Sequence, residues 1–285
     1  MSYADLARIE VEGVDGSTWV LNGPGAGREG VHLGESLDGI YDAPVRTLWQ
    51  QGAFQEGATA NGARWDARDV VFTAMIQGVS GRSWQDVDSQ WRRAWSYTAD
   101  SIMRVTTESG TRELWLRMFE SPKFTPDVDP RVNEFGEVVM TCRAGDPFWY
   151  ERPDKQHVHA ATPSGTVYRT VVNPTDKDMW LRFATTPGAR WTIPDFDFKG
   201  STRTLTLPTA YTNHRVEINT HQLEEQVVIK EWANAWEAMD GKRWINYVPA
   251  YTPPTDIPFS WSGSDGNAGL VMEQNRRWSR PWGLE

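Results

Sequence analysis

The chain has almost no cysteine. Cys142 is its only one in 285 residues, so no disulfide can close within the chain and no cysteine-rich metal site can form. Histidine is scarce as well, at five. No apolar run approaches the roughly 18 residues that a membrane-crossing helix needs, so no spanning segment is expected. The opening MSYADLARIE has neither a basic stretch nor an apolar core, so no secretory signal is expected and folding in the cytoplasm follows. Neither a G-x-S-x-G elbow nor an H-E-x-x-H helix occurs. The expectation is a protein that is not an enzyme and carries no cofactor and no metal.

Positive charge is also in deficit. Lysine and arginine number 29 against 38 acids, a net of −9. The imbalance is local: residues 1–150 hold 22 acids and 14 bases, a net of −8, whereas residues 151–285 hold 16 and 15. Wrapping duplex nucleic acid requires a basic footprint, which this balance excludes.

What is abundant is tryptophan, with sixteen, together with 24 glycines and 17 prolines. Glycine and proline at this density favour many short strands over long helices. Tryptophan stabilises cores by area and also lines sugar sites, so composition leaves both readings open. The length suggests two domains of roughly 100 to 150 residues.

In the first half, strands are expected at residues 6–12, 17–22, 46–50 and 67–78. In the last of these, Val70, Phe72, Ala74 and Ile76 share one side, while Val71 and Met75 put apolar groups on the other. Such a strand should be covered on both faces. Residues 83–97, SWQDVDSQWRRAWSY, form the one clear helix. Ser83 and Asp86 suit a capping box. At 100° per residue Trp91 and Trp95 fall about 20° either side of Trp84, with Val87 and Ala94 widening the stripe. Asp88 and Arg92 are spaced for an i,i+4 pair. The three rings are therefore expected to be a buried core face rather than a ligand grip. A hairpin (101–108 and 112–119), a proline-bearing loop (121–133) and a strand at 136–144 follow. The run DPFWYERPDK then suits a domain boundary, giving domains 1–152 and 153–285.

The second half reads as strands at 166–172, 178–185, 189–194, 202–208, 214–220, 225–230, 243–249, 257–263 and 268–278. Spacings near ten residues without helices between them argue for an antiparallel sandwich. Three weaker motifs lose to plainer readings. Gly25, Gly27 and Gly30 match G-x-G-x-x-G, but no helix is expected after them, so a glycine loop wins. His157 and His159 share a strand face without a third ligand. Asp195 and Asp197 read as a turn-forming acidic loop rather than a calcium site. Cys142 reads as a packed thiol.

The order of ARDVVFTAMIQG, a glycine break, SWQDVDSQWRRAWSY, a hairpin and EVVMTCRAGDPFWYE resembles the N-terminal domain of siphophage distal tail proteins. The similarity is greatest to the minor tail proteins of actinobacteriophages. NPTDKDMWLRFATTPGARWTIPD, TLTLP, HRVEINT and RRWSRPWGLE resemble the galectin-like sandwich that follows in that family. The resemblance spans nearly the whole chain through soft patterns rather than one motif. It implies a mainly β, two-domain chain: an N-terminal β-sandwich-like domain with one α-helix, then a galectin-like or jelly-roll β-sandwich. It further implies a homo-oligomeric ring at the virion tail tip, usually a hexamer, assembled in the host cytoplasm. Such a ring joins the tail tube protein to the tail-tip hub protein and lines the channel that DNA crosses without specific binding. Other minor tail proteins, or a host glycan, are further partners the resemblance allows. Six copies would place on the order of fifty negative charges near that channel, where repulsion keeps DNA from adhering.

Two sets of site residues follow. Trp278, Arg280 and Trp282 are of the types enriched at interface hot spots, against the alternative of a last strand folded onto its own sandwich. The alternative function is a carbohydrate-binding module or adhesin gripping host-surface glycan through Trp180, Trp191 or Trp244. A sandwich glycoside hydrolase is a third class, resting only on the supply of carboxylates.

Overall fold

The structure, a computed structural model, describes residues 7–285. The first six, on which the reading of the amino-terminal end rests, lie outside them. The fold is mainly β, in two compact units: residues 7–150 with 279–284, and residues 151–278.

The first unit contains β1 (Arg8–Glu12), β2 (Thr18–Asn22), β3 (Val31–Asp38), β4 (Val45–Gln50), β5 (Thr59–Trp65) and β6 (Arg68–Gln77). Then come α1 (Trp84–Arg93), β7 (Ser101–Thr107), β8 (Gly110–Met118), α2 (Pro130–Asn133), β9 (Phe135–Ala144) and β10 (Trp149–Tyr150). Hydrogen bonds link the strands in the order β2-β1-β7-β8-β9-β6-β3. The path turns at β8, whose first residues pair with β7 and whose end, Arg117 and Met118, pairs with β9. Period-2 alternation sends Val70, Phe72, Ala74 and Ile76 inward, and Met103, Leu114, Val138 and Met140 are buried as well.

The sequence led us to expect cover on both faces of β6. Instead, α1 lies on the same side as Phe72, whose ring meets Trp91 and Trp95 at 6.4 and 5.9 Å. Val71 and Met75 stay half-exposed on the other side. Strand β3, which its glycines hide in the sequence, pairs with β6 through a bulge between Leu33 and Leu37.

The second unit has two antiparallel sheets. One runs β11 (Asp154–His159), β19 (Gly269–Gln274), β13 (Leu181–Thr185), β16 (Val216–Asn219) and β17 (Val227–Val228). The other runs β12 (Ser164–Asn173), β18 (Thr252–Ser262), β14 (Arg190–Pro194) and β15 (Thr204–Thr206). Phe183, Trp191, Ile193, Ile218, Trp244, Ile257, Phe259 and Met272 belong to its buried core. The strand expected at 243–249 reduces to one bridge, Met179 to Val248. The expected second domain ran through 285. Residues 279–284 instead complete the first unit, where buried arginines take their carbonyls.

Candidate assembly surface

Helix α1 begins at a full capping box: Asp86 N–H donates to the Ser83 hydroxyl, and Ser83 N–H donates to the Asp86 carboxylate at 3.1 Å. A second carboxylate, from Glu134, accepts the Trp84 amide at 2.6 Å. Arg92 pairs with Asp88 at 2.9 Å and lies over Phe124, which stacks on Trp84. Trp84, Val87, Trp91 and Trp95 are all buried. Trp91 is ringed by aromatic edges, with Trp19 at 5.5 Å and Trp95 at 5.3 Å. A buried ring presents no surface to a ligand, so this face holds the unit together.

The exposed rings lie elsewhere. Among the described residues β4 and β5 pair only with each other, and every residue in both is exposed. Val45 faces Trp65 and Arg46 faces Arg64 across the pair, with a bulge between Thr47 and Trp49. Asp66 bridges both arginines at 2.7 and 3.3 Å. Trp49 is 62% exposed and Phe54, in the connecting turn, 102%, with Leu48 and Val45 beside them. A lone two-stranded ribbon is marginal in water. This one buries neither face, and its apolar side chains await a partner. The strand at 46–50 was expected from the sequence, but its return, TANGARW, was not.

The first unit has two outer sheet faces of different charge character. On the β1-β7-β8 face the charges are matched: Arg8 with Glu10, and Arg104 with both Glu12 and Glu113. On the β3-β6-β9 face Asp69 pairs with Arg143. Asp38 opposite Val71, and Glu137 opposite Met75, are exposed and make no ion pair among the described residues. Cys142 lies beneath this sheet, and burial pushes its thiol up to about 12, leaving it inert at neutral pH.

The remaining expected residues scatter. Trp278 is buried and its indole N–H donates to Glu151 at 2.7 Å, so it offers no exposed ring to a partner. Arg280 pairs with Asp42 at 3.2 Å and Trp282 meets Tyr41 edge-on at 5.3 Å, both within the first unit. Trp191 and Trp244 are fully buried in the second unit, which removes them as glycan contacts. Each packs inward from a short segment whose neighbours face out. Trp180 is half-buried, with His221 and Tyr247 edge-on at 5.0 and 5.4 Å. A polar groove of about 400 Å³ opens on the same unit, lined by Arg182, Glu217, Asn219 and Glu273 among others.

The weaker motifs resolve simply. The Gly25–Gly30 loop is a series of tight turns leading into β3, not a helix. Asp195 is buried and bonded to Arg203 and to the Ile245 and Asn246 amides, while Asp197 caps the turn at Lys199 and Ser201. His157 and His159 are exposed on one face of β11. Among the described residues no group of three or more potential metal ligands gathers.

No family model matches the chain. Minor tail protein Gp27 of Mycobacterium phage D29 is 31% identical, over 97% of this chain and 98% of that protein. The Gp27 of Mycobacterium phage L5 is 30% identical over the same shares. Among solved structures the fold is similar to SPP1 Dit (gp 19.1), a paradigm of hub adsorption apparatus in phages infecting Gram-positive bacteria. The TM-score is 0.57 at 11% identity, over 95% of this chain and 99% of that one. A chain of the phage P2 baseplate in its activated conformation with calcium gives 0.51 at 9% identity, over 96% and 99%. At these identities the likeness is one of fold.

Proposed function

The chain belongs to the Gp27 family of mycobacteriophage minor tail proteins, and from that premise we propose that it is a non-enzymatic structural component of the tail tip whose first unit closes with further copies into a ring. The β4-β5 ribbon carries this reading. It is paired into two strands yet exposed on both faces, and a neighbouring copy is the partner that every subunit of a ring has available. In this reading six copies stack with the tail tube protein on one side and the tail-tip hub protein on the other; what supports a place in the tail is the kinship with minor tail proteins. DNA would pass through the centre without specific contacts. Unpaired Asp38 and Glu137 favour the β3-β6-β9 face as the channel wall, where like charge repels the phosphates. The two-sheet second unit is the galectin-like domain of this reading.

Native mass measurement of the full chain, alone and mixed with its tail tube and hub neighbours, tests the ring. Closed hexamers in either condition are expected. A chain that stays monomeric in both would overturn the reading. Carbohydrate recognition is the lesser reading, since of its three rings only Trp180 keeps accessible surface. Saccharide binding that is lost with Trp180→Ala would support it.

A further inference from the structure

Arg68 opens β6, three residues after β5 ends, and its side chain is fully buried. It makes no salt bridge among the described residues. Instead its guanidinium donates to four backbone carbonyls: Pro147 at 2.8 Å, Gly39 at 2.8 Å, Tyr41 at 3.2 Å and Ser279 at 2.7 Å. Burial pushes it down to about 10, so it remains a cation at neutral pH. A buried charge is tolerable only while its donors are occupied, so these four carbonyls are held together. Gly39 and Tyr41 lie on the segment that leads into β4. Gly39 is fixed there, because a Cβ on it would meet the Asp69 carbonyl oxygen at 1.8 Å. Its φ of +79° is in the left-handed region.

The fourth carbonyl belongs to a segment far away in sequence. Arg112, also buried, donates to the Arg280 and Gly283 carbonyls at 2.9 and 3.1 Å. The side chains of that segment reach the same lead-in to β4: Arg280 pairs with Asp42, and Trp282 packs on Tyr41. On the other side of the ribbon Trp65 meets Phe148, next to the Pro147 carbonyl that Arg68 holds. Residues 279–284 thus run across both roots of the ribbon.

We propose that residues 279–284 are a strap that fixes the direction in which the β4-β5 ribbon leaves the first unit. Seating of the strap is then a condition for one copy to meet the next. The ribbon's own strands cannot supply this direction, because neither packs on a third strand. The strap lies at the far end of the sequence, so the ring-forming surface is complete only after the intervening second unit has been made. This inference rests on the ring reading for its consequence but not for its geometry.

The test uses the full chain with spin labels at Ala58→Cys on the ribbon side and Gln85→Cys on α1, both exposed sites; the buried Cys142 thiol stays unlabelled. Distance distributions are compared among the otherwise unchanged chain, a deletion of 279–285, and the milder pair Arg280→Gln with Trp282→Ala. The pair removes only partly exposed contacts, so it keeps the fold if the deletion does not. A narrow distribution that broadens in the variants is expected. If the ribbon then points correctly in about a tenth of molecules, apparent association falls about tenfold. An unchanged distribution in both variants would overturn the proposal, as would broadening with undiminished ring yield. If the unaltered chain never forms rings yet its distribution broadens on strap loss, the ring reading falls and the strap's positioning role stands.

Discussion

Trp91 meets Trp19 edge-on, ring centroids 5.5 Å apart and planes at 83°, at the centre of the first unit's core. The ring is fully buried, yet its indole N–H has no acceptor among the described residues. Its contribution is therefore volume and aromatic contact rather than hydrogen bonding. Trp91→Ala should cost about 3–5 kcal/mol of folding stability, and Trp91→Phe, which keeps part of the volume, about 1–3 kcal/mol. Urea denaturation of the isolated chain checks both. A Trp91→Ala chain that folded normally yet lost a ligand or partner would restore the grip that its burial denies.

The ribbon should behave in the opposite way. Trp49 and Phe54 are exposed and touch little of their own chain, apart from the Trp49 indole N–H donating to Thr47. Replacing both with serine should move monomer stability by no more than about 0.5 kcal/mol, the usual range for surface positions. It should abolish ring formation, since exposed aromatics at a contact are where binding energy concentrates. Mass photometry and thermal melts separate the two effects. Loss of stability without loss of rings would show that the ribbon serves its own unit.

Two groups give stability a pH dependence of opposite hand. The Arg131 guanidinium bonded to Asp129 holds that carboxyl down at about 2, below its ordinary 3.8. A depressed folded value means the contribution is present above the unfolded value and is lost as pH falls from about 4 toward 2. Arg131→Gln should return the Asp129 midpoint to the ordinary carboxylate range, read by NMR titration. Cys142 works at the alkaline end. Its folded value near 12 exceeds the unfolded 9.0, so stability should decline as pH rises through that interval. Cys142→Ala should remove that alkaline decline, whatever it costs in packing.

Much of this architecture is visible in the sequence wherever a side chain must alternate between core and water. Helix α1 shows itself because Trp84, Val87, Trp91 and Trp95 repeat at the helical period behind a capping serine. The ribbon's return strand is hidden because a strand exposed on both faces has no alternation to display. Strand β3 is hidden by Gly34 and by the bulge before Leu37. The inward rings of the second unit were partly legible. Trp191 and Ile193 alternate with Arg190 and Thr192, and that parity already places Trp191 inside. The strap is invisible, because Arg68 and Arg112 bind its backbone carbonyls, which every residue has.

Part of the acidic excess of the first 150 residues stands on one sheet face. On the β1-β7-β8 face Glu10, Glu12 and Glu113 each have an arginine, and the hydrogen bond that Arg104 donates to Glu113 raises Arg104 above its ordinary value. Matched charges project little field beyond roughly 10 Å in physiological salt. Among the described residues Asp38 and Glu137, both exposed, have no such partner. If their face lines the channel, six copies repeat those charges around a narrow passage, where the fields add. Asp38→Lys with Glu137→Lys should leave the monomer folded and the ring intact, because both side chains are exposed. The altered ring should retain duplex DNA in a salt-dependent gel shift, whereas the unaltered ring should not. Phage carrying the pair should release their genome more slowly. A ring structure with these two residues on its outer rim, or altered rings that ignore DNA at low salt, would end the assignment.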